Sequence, residues 1–224
     1  MKHVIYEDIG SISIANFIYE DDKLIMIQLK DGSKSTFLRD EGGFIDTVLL
    51  IKGNRTKLVE AREYEDDRVS AITLWETNSP WSAGMDRYEF TYESGSNLPY
   101  RMDFFWISRD SSIVNHGGFE LWEWKNGNVI RQKQYLKDGS TFLETFYEHD
   151  HIQNPKNEFT SPRFVEFWNR NNIKWDSTYD HSGQVRLIPQ PVLTTLEYTD
   201  QACLKSSQRS ADTKYAERKC TYVY

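Results

Sequence analysis

A turn motif that begins with tyrosine recurs along almost the whole chain, and it limits the possible folds more than any other feature of the sequence. Its clearest copies read YEDDK at Tyr19–Lys23 and YEDDR at Tyr64–Arg68. A third copy begins at Tyr92, and degenerate copies begin at Leu38, Trp124, Tyr147, Tyr179 and Tyr198. Aromatic residues favour strands, whereas Asp, Asn and Gly favour tight reversals of the backbone. Each copy therefore predicts the turn of a β-hairpin, and none has the residue types of a catalytic site.

Strand-like runs fill the sequence between these turns. Tyr88 and Phe90 alternate with Arg87 and Glu89, which is typical of a strand with one apolar and one polar face. One short helix is expected around Pro162–Arg170, with a strand as the alternative. We predict a single all-β domain over residues 1–224, an extended antiparallel meander that is strongly twisted and curled into an open or partial barrel. Residues 1–11 are expected to be a lead-in, and residues 148–172 an irregular or short helical insertion.

The charge of the chain argues against nucleic acid as a partner, and its hydropathy argues against a transmembrane helix. The 27 basic and 34 acidic residues give a net charge of −7, and the basic residues form no block. Nucleic acid requires a basic surface, so it is not an expected partner. No apolar run reaches the roughly 18 residues that a transmembrane helix needs. The N-terminus lacks the basic, apolar and small-residue segments of an export signal, so the chain is either cytoplasmic or has had a signal removed.

The two cysteines, Cys203 and Cys220, flank a predicted hairpin whose reversal lies in Ser207–Lys214. A symmetric register about that loop places them opposite each other, where a disulfide needs only slight further closure. We predict a Cys203–Cys220 disulfide, and two free, half-buried thiols are the alternative. A disulfide favours an oxidising compartment over the cytosol.

Candidate catalytic and metal-binding groups carry little signal. His149 and His151 would lie on one face of an extended segment, but no further metal ligands follow in a recognisable spacing. Acidic pairs such as Asp21 and Asp22 lack the spacing of a calcium loop. Pairs of carboxylates suited to glycoside hydrolysis arise by chance among 34 acidic residues, and no nucleophile elbow is present. The sequence predicts no enzyme, no cofactor and no metal site.

Three tryptophans near expected loops are the candidate ligand-binding residues. Trp75 and Trp81 flank a loop-like stretch, and Trp106 precedes another. Aromatic side chains on loops can stack on sugars or hold apolar ligands. We favour a role in capping the ends of the core, and ligand binding stays open.

The chain also resembles a known family. The turn repeat, the dipeptide Asn154-Pro155, the Asn171-Asn172 pair and the final Tyr-rich hairpin from Tyr198 to Tyr224 are similar to those of uncharacterised Bacteroidetes envelope lipoproteins with degenerate YD-type, Rhs-like repeats. The resemblance covers Ile12–Tyr224. It implies a secreted, lipid-anchored curved sheet or partial barrel, either periplasmic or at the outer membrane. The family offers no established activity or catalytic residue.

Together these observations favour a non-enzymatic envelope protein that binds a glycan or surface polymer. One alternative is a half-open barrel that carries a lipid or acyl chain in an apolar cavity. Another is a structural or protein-partner module that uses its free sheet edges, because an open meander has two. The resemblance implies that the protein is peripheral to a membrane through a lipid anchor that is no longer present.

Overall fold

The computed structural model describes residues 3–8, 11–77, 84–108, 110–154, 161–181, 192–199, 202–210 and 218–223. The chain divides into two compact units, each assembled from separate stretches of sequence. Unit 1 contains Met1–Phe17, Trp122–Lys133 and Thr141–Tyr224. Unit 2 contains Ile18–Leu121 and Gln134–Ser140. The prediction of a single domain over residues 1–224 stays a prediction.

The described chain is almost entirely β-structure. The strands are β1 (His3–Asp8), β2 (Ser11–Glu20), β3 (Lys23–Leu29), β4 (Lys34–Arg39), β5 (Ile45–Lys52), β6 (Arg55–Glu65), β7 (Arg68–Glu76), β8 (Gly84–Tyr92), β9 (Pro99–Ser108), β10 (Val114–Lys125), β11 (Asn128–Leu136), β12 (Thr141–Gln153), β13 (Asn171–Asp180), β14 (Val192–Thr199), β15 (Ala202–Ser210) and β16 (Arg218–Val223). One short helix, α1 (Val165–Trp168), lies between β12 and β13. Successive strands are antiparallel neighbours in the sheet. The predicted all-β antiparallel meander is confirmed, and a short helix lies where the sequence favoured one.

The tyrosine-led motif forms tight turns at its best copies. Asp21 and Asp22 have φ angles of 47° and 59°, and Asp66 and Asp67 have φ angles of 49° and 61°. Positive φ at both central residues defines the type I′ turn, whose twist matches that of the flanking strands. The copy at Tyr147 is an exception, because β12 runs through it without a reversal. The prediction of a turn there is wrong.

Unit 2 is a continuous run of paired strands from β3 to β10. The register places Ile72, Leu74, Phe90 and Met102 on one face, where all four are buried. The opposite face carries charged side chains, namely Glu63, Arg87, Glu89 and Asp103. The alternation predicted for β8 is therefore confirmed, and its apolar side is the packed side.

Unit 1 brings the first and last strands together. Its pairing runs β12, β13, β14, β15, β16, β1 and β2, so β1 is hydrogen bonded on both sides. The predicted lead-in at residues 1–11 is therefore largely a strand, because His3–Asp8 pairs with both neighbours. The first and last strands of the meander, β1 and β16, pair with each other. The segment between β12 and β13 is 154–170, which is shorter than the predicted 148–172.

The register of β15 and β16 excludes the predicted disulfide. Cys220 is the Cα partner of Ser206, and Lys205 is the partner of Thr221. Cys203 is therefore three positions away from the residue opposite Cys220. Three strand residues span about 10 Å, which is more than a disulfide can bridge. The prediction assumed that β15 and β16 pair symmetrically about their loop, but these strands, which also pair with β14 and β1, have a different register.

Candidate functional site

The predicted tryptophans do not form one groove. Trp75 lies on β7 and Trp106 lies on β9, while Trp81 lies outside the described residues. Leu74 is opposite Asp86, which is in turn opposite Trp106, so these three residues share a face. Trp75 is next to Leu74 in the strand and therefore lies on the other face. A ligand that stacks on both tryptophans at once is not compatible with this sheet.

Unit 1 contains a polar cavity of about 590 Å³. It lies beside the β10–β11 turn, the middle of β12 and the start of β13. The lining residues are Lys125, Asn126, Asn128, Ile130, Tyr147, Glu148, His149, Asp150, His151, Arg170 and Asn171. A volume of this size lies within the usual range of about 300–1,000 Å³ for small-molecule sites. We call this the asparagine pocket.

Asparagine side chains join two walls of the pocket that are distant in sequence. The Nδ2 of Asn128 donates to Oδ1 of Asn171 at 2.9 Å, and the backbone N–H of Asn171 donates to Oδ1 of Asn128 at 2.8 Å. The backbone N–H of Val129 donates to Oδ1 of Asn169 at 2.7 Å. Asn169 is 1% exposed. Because a buried N–H without a partner is costly, these amides hold residues 169–171 against the β10–β11 turn.

Aromatic packing supports the same segment. The ring of Trp168, at the end of α1, lies 6.2 Å from the ring of Trp122 on β10. The indole N–H of Trp168 donates to the carbonyl of Pro162, and Nδ2 of Asn154 donates to the carbonyl of Asn169 at 3.2 Å. A helix of one turn has no stability of its own, so this packing and these hydrogen bonds hold it. The wall that carries Arg170 is therefore well supported.

The floor of the pocket depends on an irregularity in β12. Five consecutive residues, Tyr147–His151, line the cavity, whereas a regular strand would present only alternate side chains to it. The pairing of β12 with β13 shifts register between Glu148 and His149, and again between His149 and Gln153. Such a bulge re-aims side chains locally and is common beside functional sites. The segment that the sequence indicated as a turn is therefore a bulged strand.

Hydrogen bonds fix two of the floor residues. The hydroxyl of Tyr147 donates to Oε1 of Gln132, which fixes the position of its ring. The carboxylate of Asp150 accepts hydrogen bonds from the backbone N–H and from Nδ2 of Asn172, both at 3.2 Å. The Nε2 of His149 is buried and makes no hydrogen bond of acceptable geometry. The floor therefore presents one positioned aromatic ring and one half-buried imidazole whose Nε2 is unsatisfied.

The pocket mixes charges of both signs. Lys125, Arg170, Glu148 and Asp150 all line it. Burial lowers the pKa of His149, although the Asp150 carboxylate and the Asn169 side chain act in the opposite direction. Among the described residues, no group of three or more His, Cys, Asp or Glu side chains is arranged to hold a metal ion. The lining offers both hydrogen-bond donors and hydrogen-bond acceptors.

Protonation of His149 is expected to destabilise the fold. Its folded pKa is lowered, so the unfolded chain takes up a proton at a higher pH than the folded protein does. Stability that is complete above the unfolded pKa of about 6.5 should therefore fall as the pH drops below it. We expect wild type to lose more stability than His149→Gln between about pH 7 and about pH 5 in urea unfolding. Equal losses in the two proteins would contradict this assignment.

A second cluster lies on the charged face of unit 2. Arg87 contacts Glu63 and donates from Nε to Glu89 at 2.8 Å, and these carboxylates raise its pKa. Nearby, Asp103 accepts hydrogen bonds from Arg101 and His116. Partial burial raises the pKa of Asp103, but these two hydrogen bonds outweigh it and the net pKa is lowered. The partners are mutually satisfied, so this cluster is an ion-pair network on a surface and not a ligand site.

Sequence reasoning missed the asparagine pocket. Asn128 and Asn171 are 43 residues apart, and no local pattern indicates that they meet. The available signal was the density of asparagines at Asn126, Asn128, Asn169, Asn171 and Asn172. The sequence indicates His149 and His151 only as candidate metal ligands. The structure places them in the pocket, beside an arginine and a lysine.

The fold defines a class of protein, an all-β antiparallel meander with successive strands as neighbours. No family model matches the sequence, and no curated protein matches it. A porin-like protein from Bacteroides vulgatus ATCC 8482 is similar in structure, with a TM-score of 0.64 and 11% identity over 99% of this chain and 98% of that chain. A porin-like protein from Bacteroides uniformis ATCC 8492 has a TM-score of 0.60 and 10% identity over 99% and 95% of the two chains. At these identities the likeness shows the fold alone.

Membrane-spanning helices are a separate question from the fold. None of the helical segments that the structure describes has the length and apolar character needed to cross a bilayer.

Proposed function

We propose that this chain is a non-enzymatic cell-envelope protein that binds a glycan or surface polymer in the asparagine pocket. The observation that carries the proposal is the lining of the pocket, which combines donors from Lys125 and Arg170, acceptors from Glu148 and Asp150, and the positioned Tyr147 ring.

The chemistry of this lining suits a sugar. Sugar hydroxyls both donate and accept hydrogen bonds, so they are matched by a surface that offers both kinds of group. The apolar C–H face of a sugar ring packs well on an aromatic ring, and Tyr147 and Ile130 supply apolar surface within the same cavity. A cavity of about 590 Å³ has room for more than one sugar unit.

Location at the envelope is part of the proposal. The similarity to porin-like Bacteroides structures supports it, and the resemblance to envelope lipoproteins supports attachment through a lipid anchor. A lipid-spanning wall in strands β6–β9 has less support. Such a wall exposes its apolar side chains to lipid, whereas Ile72 and Met102 are buried within the protein, and the opposite face carries the exposed carboxylates of Glu63 and Glu89.

The two other roles have weaker support. A lipid or acyl-chain carrier needs an apolar cavity, and the asparagine pocket is lined mainly by charged and amide side chains. A partner module that uses free sheet edges needs unpaired end strands, but β1 and β16 are paired with each other.

Binding should depend on the two basic side chains of the pocket. We expect a glycan array to identify an oligosaccharide ligand, and we expect Lys125→Ala and Arg170→Ala each to weaken its binding by about tenfold or more, because each removes a charged hydrogen-bond donor. Isothermal titration calorimetry with the ligand from the array measures this effect.

Lys174→Ala is the matched control. Lys174 is an exposed lysine on β13 that does not line the pocket, so its loss should leave the affinity unchanged. Binding that is equally weakened by all three substitutions would point to a general charge effect. A glycan that binds with unchanged affinity to Lys125→Ala and Arg170→Ala would place the site elsewhere and overturn the proposal.

A further inference from the structure

The exposed apolar side chains of unit 2 concentrate at one end of its strands. Nine large apolar residues of this unit are exposed in the described structure, and six of them lie near the turns that follow β3, β5, β9 and β11. These six are Leu29, Leu50, Trp106, Ile113, Val114 and Leu136. In an antiparallel meander alternate turns lie at the same end of the sheet, so these turns share one end. Leu136 lies beside Gly118 on β10, where an added Cβ atom would be 3.4 Å from the Cα of Leu136, so the β11–β12 turn is there too.

Two of these turns are copies of each other. Leu29–Ser33 and Leu136–Ser140 both read LKDGS. In each, the glycine N–H donates to the leucine carbonyl, at 3.0 Å and 2.9 Å, and the serine N–H donates to the aspartate Oδ1, at 2.9 Å in both. Gly32 and Gly139 have φ angles of 80° and 83°. The same backbone geometry therefore presents an exposed leucine and an exposed lysine at both turns.

Charge separates the two ends of unit 2. The end with the apolar residues carries five basic residues at its described turns, which are Lys30, Lys34, Lys52, Arg55 and Lys137. Its acidic residues include Asp31, Asp110 and Asp138, which accept hydrogen bonds from serines in their own turns, and the exposed Glu76 at the end of β7. The opposite end is strongly acidic: the basic residues Lys23, Arg39 and Arg68 there are outnumbered by Glu20, Asp21, Asp22, Asp40, Glu41, Glu65, Asp66, Asp67 and Glu93. The end with the apolar residues is therefore far less acidic than the opposite end, and its Lys30 and Lys137 are exposed beside apolar side chains.

We propose that this end of unit 2, which we call the lysine end, docks onto an anionic lipid bilayer surface. Exposed apolar side chains can enter the boundary between headgroups and acyl chains, while lysines beside them contact anionic headgroups. The acidic end then points away from the membrane, because the same surface repels it. This inference rests on unit 2 and is independent of ligand binding in the asparagine pocket.

Vesicle sedimentation tests the docking surface with the full chain. We expect the protein to bind vesicles that contain about 30% phosphatidylglycerol in phosphatidylcholine, and to bind pure phosphatidylcholine much more weakly. Raising the salt concentration from about 0.1 M to about 0.5 M should release most of the bound protein, because salt screens the lysines. The double charge reversal Lys30→Glu with Lys137→Glu should weaken binding by about tenfold or more.

An apolar substitution with a matched control separates docking from general charge. Leu136→Glu lies at the lysine end and Leu38→Glu at the acidic end, and the two leucines are 43% and 45% exposed. We expect Leu136→Glu to weaken vesicle binding by about tenfold and Leu38→Glu to have little effect. Circular dichroism is the control that both variants are folded. The proposal is overturned if wild type does not bind anionic vesicles, if Leu38→Glu weakens binding as much as Leu136→Glu, or if the lysine-end substitutions instead abolish a dimer in analytical ultracentrifugation.

Discussion

Replacing Arg62 with leucine is expected to lower the free energy of unfolding by about 3–5 kcal/mol. Nε of Arg62 lies 2.7 Å from Oε1 of Glu60, and the two side chains are 4% and 9% exposed. Their cross-strand partners are Ile72 and Leu74, which are buried, so the pair lies within an apolar layer. Without the guanidinium, the Glu60 carboxylate would be buried beside apolar side chains with its main charge partner removed. Urea unfolding followed by tryptophan fluorescence measures the loss.

The double variant distinguishes this cause from a simple packing defect. Replacing both Glu60 and Arg62 with leucine removes the two charges together, and buried ion pairs replaced in this way often cost little stability. We expect the double variant to be more stable than Arg62→Leu alone. If the two substitutions were additive, the pair would not be coupled and the explanation would fail.

Gly118→Ala is expected to destabilise the protein by about 3 kcal/mol or more. Gly118 has a φ angle of 144°, and a Cβ atom at this position would lie 2.2 Å from the backbone carbonyl oxygen of Tyr135. The backbone cannot move aside as a flexible side chain would, so β10 or β11 must shift. Thermal and urea unfolding of the variant measure the effect.

Gly95→Ala provides the comparison. Gly95 has a φ angle of 76°, but a Cβ atom there meets nothing within 4 Å. Only the conformational penalty applies, which is about 1–2 kcal/mol. A loss for Gly118→Ala no larger than that for Gly95→Ala would mean that the close approach of β10 and β11 contributes nothing.

Much of the local structure follows from short-range chemistry that the sequence displays. Asp66 and Asp67 tolerate the positive φ angles of a type I′ turn, and the aromatic and charged residues of β8 alternate as a strand requires. The same local reasoning failed at Tyr147, where a turn-like sequence continues as a bulged strand. Pairing with β13 supplies hydrogen bonds along that segment, and it outweighs the local preference of His149 and Asp150.

Less of the candidate site could be predicted from the sequence. Trp75 and Trp106 both stand near expected loops in the sequence, but only the strand register reveals that they lie on opposite faces. The asparagine pocket depends on contacts of the β10–β11 turn with Asn169 and Asn171, which are about 40 residues away along the chain. Asparagine is common in turns for local reasons, so its presence alone does not indicate a site.

By itself, the sequence of this protein determined the class of fold, the positions of most hairpin turns and the alternation of its strands, because these depend on residues within one turn or one strand of each other. Only the tertiary structure decided the pairing of β1 with β16, the register that separates Cys203 from Cys220, and the meeting of Asn128 with Asn171. These features depend on which distant segments satisfy each other's backbone and side-chain hydrogen bonds. The pairing of the whole sheet determines the register of each strand, since a shift of one residue in register moves every side chain of a strand to the opposite face.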